Sequence, residues 1–181
     1  MKNTKVKVGD KIVQLGRVYN VFKIEKRKTN NQEERVILFR PYFKTEESKN
    51  IVLTIPEANL ARANIREPIS KKELKLILAK LAEKPKKNSA ATDETSEIKK
   101  ISLDIISVRE LLNQNDPFQS VQVLKLLWRE KIDKTTDISN SKYEIFNLAM
   151  DRLVEEVAFS SKLSLAKAKE KIKKALAKML D

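Results

Sequence analysis

The spacing of apolar residues changes part-way along this chain, and that change limits the fold more than any other feature. Between residues 6 and 55, β-branched and aromatic residues come in short runs, with turn signals at Gly9-Asp10, Gly16 and Thr29-Asn30-Asn31. The pattern predicts strands at about residues 11–15, 18–26, 34–40 and 50–55, with Pro56 ending the last one. Val36, Leu38 and Arg40 alternate with Ile37 and Phe39, and residues 42–50, with Lys44, Glu46, Glu47 and Lys49, read as a polar hairpin tip. About five short strands with no long helix between them predict a small SH3-like or Tudor-like β-barrel rather than a parallel sheet.

Beyond residue 70 the spacing becomes helical. Ser70-Lys71-Lys72-Glu73 is a capping box, followed by Leu74, Ile77, Leu78 and Leu81 on one helical stripe, and this helix is expected to close the first domain. Residues 84–100 (KPKKNSAATDETSEIKK) are polar, with no aromatic residue and a single isoleucine, and read as a linker. Four helical patterns follow. Leu103, Ile106 and Leu111 start the first. Asp116-Pro117 supplies an N-cap and an N1 proline for the second, faced by Val121, Leu124, Leu127 and Trp128. Ser141-Lys142-Tyr143-Glu144 reads as a capping box for the third, faced by Ile145, Phe146, Ala149, Leu153 and Val157. Ser164 caps the fourth, with Leu165, Ala168, Ile172, Leu176 and Met179 as its stripe. The short connections predict antiparallel neighbours in a bundle. The expected class is therefore α+β: a β domain over 1–83, a linker over 84–100 and an all-α bundle over 101–181.

Composition then narrows the function. The chain has no cysteine and no histidine, which removes disulfides, thiolate metal sites, the commonest metal ligand and the commonest general base near neutral pH. Its two glycines, at 9 and 16, leave no glycine-rich phosphate loop. Asp151 and Glu155 share a helix face at i, i+4, but they have no third ligand and Arg152 is adjacent, so a metal nuclease is set aside. The expectation is a binding protein without catalysis, metal or cofactor. A formal net charge of +13 over 181 residues favours a polyanionic partner, nucleic acid or an acidic surface, through counterion release; the competing reading is lysine as a solubilising surface residue. No run of eighteen apolar residues occurs and MKNTKVKVGD lacks a signal-like apolar stretch, so a cytoplasmic protein without membrane contact is expected; with a nucleic-acid partner it is expected to be nucleoid-associated, and it is expected to be a monomer.

Three stretches together resemble the CarD/CdnL family of bacterial transcription regulators, whose first domain is shared with transcription-repair coupling factors. Val6-Lys7-Val8-Gly9-Asp10-Lys11-Ile12-Val13 is similar to the family's opening K-V-G-D-x-V-V strand and is followed by Ile24-Glu25-Lys26-Arg27. Ile55-Pro56, Asn59 and Ile65-Arg66 resemble the segment before the family's first helix. In the helical half, Val123-Leu124-Lys125-Leu126-Leu127-Trp128-Arg129 resembles V-V-R-D-L-W-R, and Leu153-Val154-Glu155-Glu156-Val157 resembles L-x-x-E-(L/V). The resemblance implies that the β domain binds the RNA polymerase β subunit and that the helical domain touches promoter DNA and stabilises the open complex. The chain departs from the family twice. The glycine-rich turn is replaced by Gln14-Leu15-Gly16-Arg17-Val18-Tyr19-Asn20, so the first hairpin must turn differently. The tryptophan that wedges into the minor groove in many members aligns near Ile101, which is either a wedge or an ordinary helix-start residue.

The resemblance also sets the candidate residues. For polymerase they are Arg27, which matches a basic residue of the family's second strand, with Lys28, Arg40 and Thr54, the last standing where the family often has arginine. For DNA they are Lys99, Lys100, Lys125, Arg129 and Lys142, as contacts to phosphate that carry no sequence information, with Ile101 as the wedge candidate. Trp128 reads as core. The run Lys167, Lys169, Lys171, Lys173 and Lys174 reads as the polar face of an amphipathic helix, with DNA or membrane contact as the lesser options. The rival function is a sequence-independent architectural nucleic-acid-binding protein with no polymerase contact.

Overall fold

The computed structural model describes residues 6–29, 32–46, 48–84, 105–132 and 139–179. It is an α+β protein of two compact units, residues 1–68 and 69–181.

The first unit is a curled antiparallel half-barrel of five strands in the order β4-β3-β2-β1-β5. The strands are β1 (Lys11–Gln14), β2 (Arg17–Thr29), β3 (Gln32–Pro41), β4 (Leu53–Pro56) and β5 (Ile65–Arg66). Between β1 and β2, where Gln14 pairs with Arg17, Leu15 and Gly16 both have positive φ, 50° and 77°. That is the signature of a two-residue type I′ turn, whose twist matches the flanking strands. It shows how the first hairpin turns without a glycine-rich loop. Gly9, at φ 96°, lies in the other glycine turn, where the Asp10 carboxylate accepts the Lys7 N–H at 2.7 Å and the Gly9 N–H donates to the Val21 carbonyl at 2.8 Å. A 3₁₀ turn over Glu57–Arg62 carries the chain from β4 at one edge to β5 at the other. Its Leu60, and Ala63 just after it, pack against the core of Val6, Ile12, Tyr19, Val21, Ile37, Phe39 and Ile55. β5 is two residues long, too short to produce any periodicity in sequence.

The second unit has five helices: α1 (Lys71–Ala82), α2 (Ile105–Asn113), α3 (Pro117–Ile132), α4 (Asn140–Ser161) and α5 (Leu165–Ala177). Three of the sequence caps are found in place. Ser70 and Glu73 form the full capping box, the Asp116 carboxylate accepts the Phe118 N–H at 2.9 Å, and Ser164 accepts the Lys167 N–H at 3.3 Å. The fourth differs. α4 starts two residues earlier than the box at Ser141 suggests, with Ser139 as the cap accepting the Lys142 N–H at 3.4 Å. The first intrahelical bond, Tyr143 N–H to the Ser139 carbonyl at 3.0 Å, is already made there, so the helix gains hydrogen bonds by extending past the local signal.

The domain boundary also differs from the sequence reading. α1 buries Leu74, Ile77 and Leu81, and it packs against α3, α4 and α5, so it belongs to the helical unit and the division falls at 68/69 instead of 83/84. The reason lies at Ile69, whose N–H donates to the fully buried Glu156 carboxylate at 3.2 Å and whose carbonyl accepts the Ser160 hydroxyl at 2.5 Å. Most of the expected linker, 84–100, lies outside the described residues. No helix among the described residues is long and apolar enough to cross a membrane.

Two stability measurements check this account. A leucine at φ 50° carries a left-handed backbone cost of about 1–2 kcal/mol that asparagine largely avoids. Leu15→Asn is therefore expected to stabilise the chain by up to about 1 kcal/mol in urea unfolding, since Leu15 is already substantially exposed. Ser139→Ala is expected to cost about 1 kcal/mol as a lost N-cap, whereas Ser141→Ala, inside the first turn, changes little; a loss at Ser141 with little change at Ser139 would place the cap at Ser141.

Candidate functional site

The candidate residues of the first unit lie on the β2–β3 hairpin and on β4. Cross-strand partners share a sheet face, so the register assigns each of them to a side. Val21 pairs with Phe39 and Ile24 with Ile37, all toward the core; between them the register shifts by one residue at Phe22, a bulge. Before the bulge the odd positions of β2 face the core, and after it the even ones do. Arg27, paired with Glu34, is thereby turned to the face away from the core, with Arg40 and Thr54, whose neighbours in the ladders are Asn20 and Leu38. Lys28, paired with Glu33, falls on the opposite side. Three of the four candidates therefore share a face and the fourth does not.

Arg27 and Arg40 stand at positions six residues apart along β3, roughly 20 Å at strand rise. Between them Val36 and Leu38 are buried, and Thr54 is exposed on the edge strand. Each arginine is held. The Arg27 Nε donates to the Glu25 carboxylate at 2.6 Å, and Lys23 bridges the other oxygen of that carboxylate at 2.5 Å. The Arg40 guanidinium lies over the Phe22 ring with its Cζ 3.9 Å from the centroid, a cation–π contact made by the bulged residue itself. Bonds from Lys23 and then Arg27 hold the Glu25 carboxyl below its ordinary value of 4.5.

In the helical unit the candidates separate. Lys99, Lys100 and Ile101 lie outside the described residues. Lys142, at the start of α4, donates to Glu130 near the end of α3 at 2.7 Å, a partly buried pair that joins the two helices. Lys125 is half-buried on α3 with Glu83 at 3.9 Å; burial, more than the neighbouring Arg129 and Lys80, lowers its pKa. Arg129 is exposed. Trp128 stacks on Phe146 with centroids 6.0 Å apart and 22° between the planes, consistent with a packing role. Asp151 lies 4.0 Å from Lys169, and among the described residues no group of three Asp or Glu side chains is placed to hold a metal ion.

Residues that sequence reasoning did not single out do the fastening. Besides Glu156 and Ser160, Arg152 donates to the Leu112 carbonyl at 2.7 Å and to the Asn113 side chain at 2.9 Å, closing the C-terminal end of α2 from α4. Burial lowers the pKa of this guanidinium. The only sequence signal was the acidic position of the L-x-x-E-V stretch, which is Glu156. Comparison with protein-family models gives no match, and comparison with curated proteins gives none either.

The bridges at Glu25 carry a pH dependence whose sign follows from the lowered pKa. Above the ordinary carboxylate range Glu25 is ionised and the bridges favour the folded hairpin; as pH falls through the depressed folded-state pKa they are lost. An NMR titration read at the Glu25 carboxyl carbon is expected to give a midpoint below 4.5, and Lys23→Ala to move it up toward 4.5. A midpoint unmoved by that substitution would remove Lys23 from the bridge.

Proposed function

We propose that the chain is a CarD/CdnL-type bacterial transcription regulator of the cytoplasm. In this reading the first unit, a Tudor-like half-barrel, binds the β subunit of RNA polymerase. The helical unit holds promoter DNA through phosphate contacts and so lengthens the life of the open complex. The observation that supports it most is that three of the family-like stretches have a definite structural job. Val8-Gly9-Asp10 forms a turn that only glycine adopts without strain, and it is tied by Asp10 to Lys7 and by Gly9 to β2. Ile55-Pro56 through Ile65-Arg66 is the crossing that closes one side of the core. Glu156 is the buried acceptor that fastens α1.

Two modest sites on one chain gain from effective concentration, so a contact to polymerase and a contact to DNA reinforce one another without either being tight. In the first unit Arg27 and Arg40 stand exposed on a common face, suited to set register and encounter rate against an acidic protein surface.

The test uses the sidedness of the hairpin. In a binding assay of the full chain against the isolated polymerase β lobe, Arg27→Glu is expected to raise Kd roughly tenfold, about 1.4 kcal/mol, while Lys28→Glu, on the other face, changes it little. Capture of DNA without any binding to the β lobe would replace this reading by the architectural nucleic-acid-binding one.

A further inference from the structure

The positive charge of the helical unit is not where its family-like helices are. Residues 105–132 and 139–161, which contain α2, α3 and α4, hold six basic against seven acidic side chains. Residues 71–84 and 162–179, which contain α1 and α5, hold twelve lysines against three glutamates. These two helices are far apart in sequence and pack directly against each other. Their first turns also stand at the same end of the unit, because Ile69 is fastened to Glu156 and Ser160 in the last turns of α4, just before the chain turns into α5.

We propose that α1 and α5 together form the face on which the helical unit binds the phosphate backbone of nucleic acid. This deepens the reading of that unit as the DNA-holding half and rests on it, but not on the polymerase contact. On α1 Lys71, Lys72 and Lys75, and on α5 and its C-cap Lys167, Lys173 and Lys178, are exposed and form no ion pair among the described residues, the charge of Lys167 reaching Glu170 only at longer range. Lys125 and Lys142, by contrast, are already engaged with Glu83 and Glu130. Lysines without acidic partners are the ones whose counterions a polyanion displaces most readily.

The surface fits a nucleic acid better than a lipid headgroup layer. An interfacial helix needs an apolar face free to enter the membrane. The apolar side of α5, Ala168, Ile172 and Leu176 with Met179 beyond it, is at most 2% exposed, and that of α1 is buried at Leu74, Ile77 and Leu81. Leu76 is the exposed large apolar side chain of this pair, flanked by lysine at 75.

The experiment measures affinity of the full chain for a short DNA duplex over a range of salt, with anionic phosphatidylserine vesicles as a second probe. Lys71→Glu/Lys72→Glu/Lys75→Glu and Lys167→Glu/Lys173→Glu/Lys178→Glu are each expected to weaken duplex binding roughly tenfold or more near physiological salt. Each should also reduce the steepness of log K against log salt by about 2 to 3, the loss of up to three phosphate contacts. Arg109→Glu, which reverses a charge on α2 beside Glu144, should stay within about twofold of the parent. Thermal melts accompany each variant, and where a reversed set fails to fold, the same positions changed to glutamine should give the same order of affinities with a smaller loss. A parent that binds the duplex but is matched by both lysine sets, in affinity and salt slope, would overturn the assignment of the face and leave the wider reading standing. A parent that ignores the duplex at low salt, or binds vesicles alone, would overturn both.

Discussion

A carboxylate with no exposure to solvent organises the helical half of this molecule. Burying Glu156 is unfavourable unless its oxygens are hydrogen-bonded, and one of them accepts the Ile69 N–H at 3.2 Å while Ser160, one helical turn on, donates to the carbonyl of the same residue. The peptide groups on either side of Ile69 are thereby held against α4. With its entry held there, α1 can place Leu74, Ile77 and Leu81 only among α3, α4 and α5. That single attachment decides where the two units divide and makes α1 the neighbour of α5, so that two lysine-rich stretches nearly a hundred residues apart in the chain become one surface.

A comparable decision is made in the first unit by one extra residue. The bulge at Phe22 reverses which positions of β2 face the core, so that Ile24 rather than Lys23 continues the apolar side after Val21. The same reversal carries Arg27 outward beside Glu25 and gives Arg40 an aromatic ring to rest on. Bulges interrupt a ladder, but here the unpaired residue is itself used as a contact.

The two halves treat charge differently. On the hairpin the cations are interleaved with acids, Lys23 and Arg27 at Glu25, Lys26 at Glu33 and Arg35 at Glu57, which orients them more than it stabilises the fold, since exposed pairs contribute little. In the bundle α2, α3 and α4 carry nearly balanced charge, whereas α1 and α5, despite the pairs Lys174–Glu170 and Lys169–Asp151, are left with an excess of one sign.

Much of the fold was legible in the sequence because it is written in short-range spacing. The switch from strand to helical periodicity, the stripes of α4 and α5, and the caps at Ser70, Asp116 and Ser164 all depend on residues within four positions of one another, and they appear as expected. The capping box at Ser141 shows the limit of such signals: the same motif chemistry is present, but the backbone hydrogen bonds gained by starting two residues earlier outweigh it and the cap is Ser139. What only the tertiary structure decided depends on partners distant in the chain. The allegiance of α1 rests on a bond spanning 87 residues, from Ile69 to Glu156. The side taken by Arg27 and Lys28 rests on a register shift that no alternation pattern reveals. Which lysines are engaged rests on carboxylates brought from other helices, Glu130 to Lys142 and Glu83 to Lys125. Composition determined that the chain is basic; packing determined where that charge lies unpaired, because an ion pair is set by distance in space and sequence spacing constrains that distance only within a turn or a ladder.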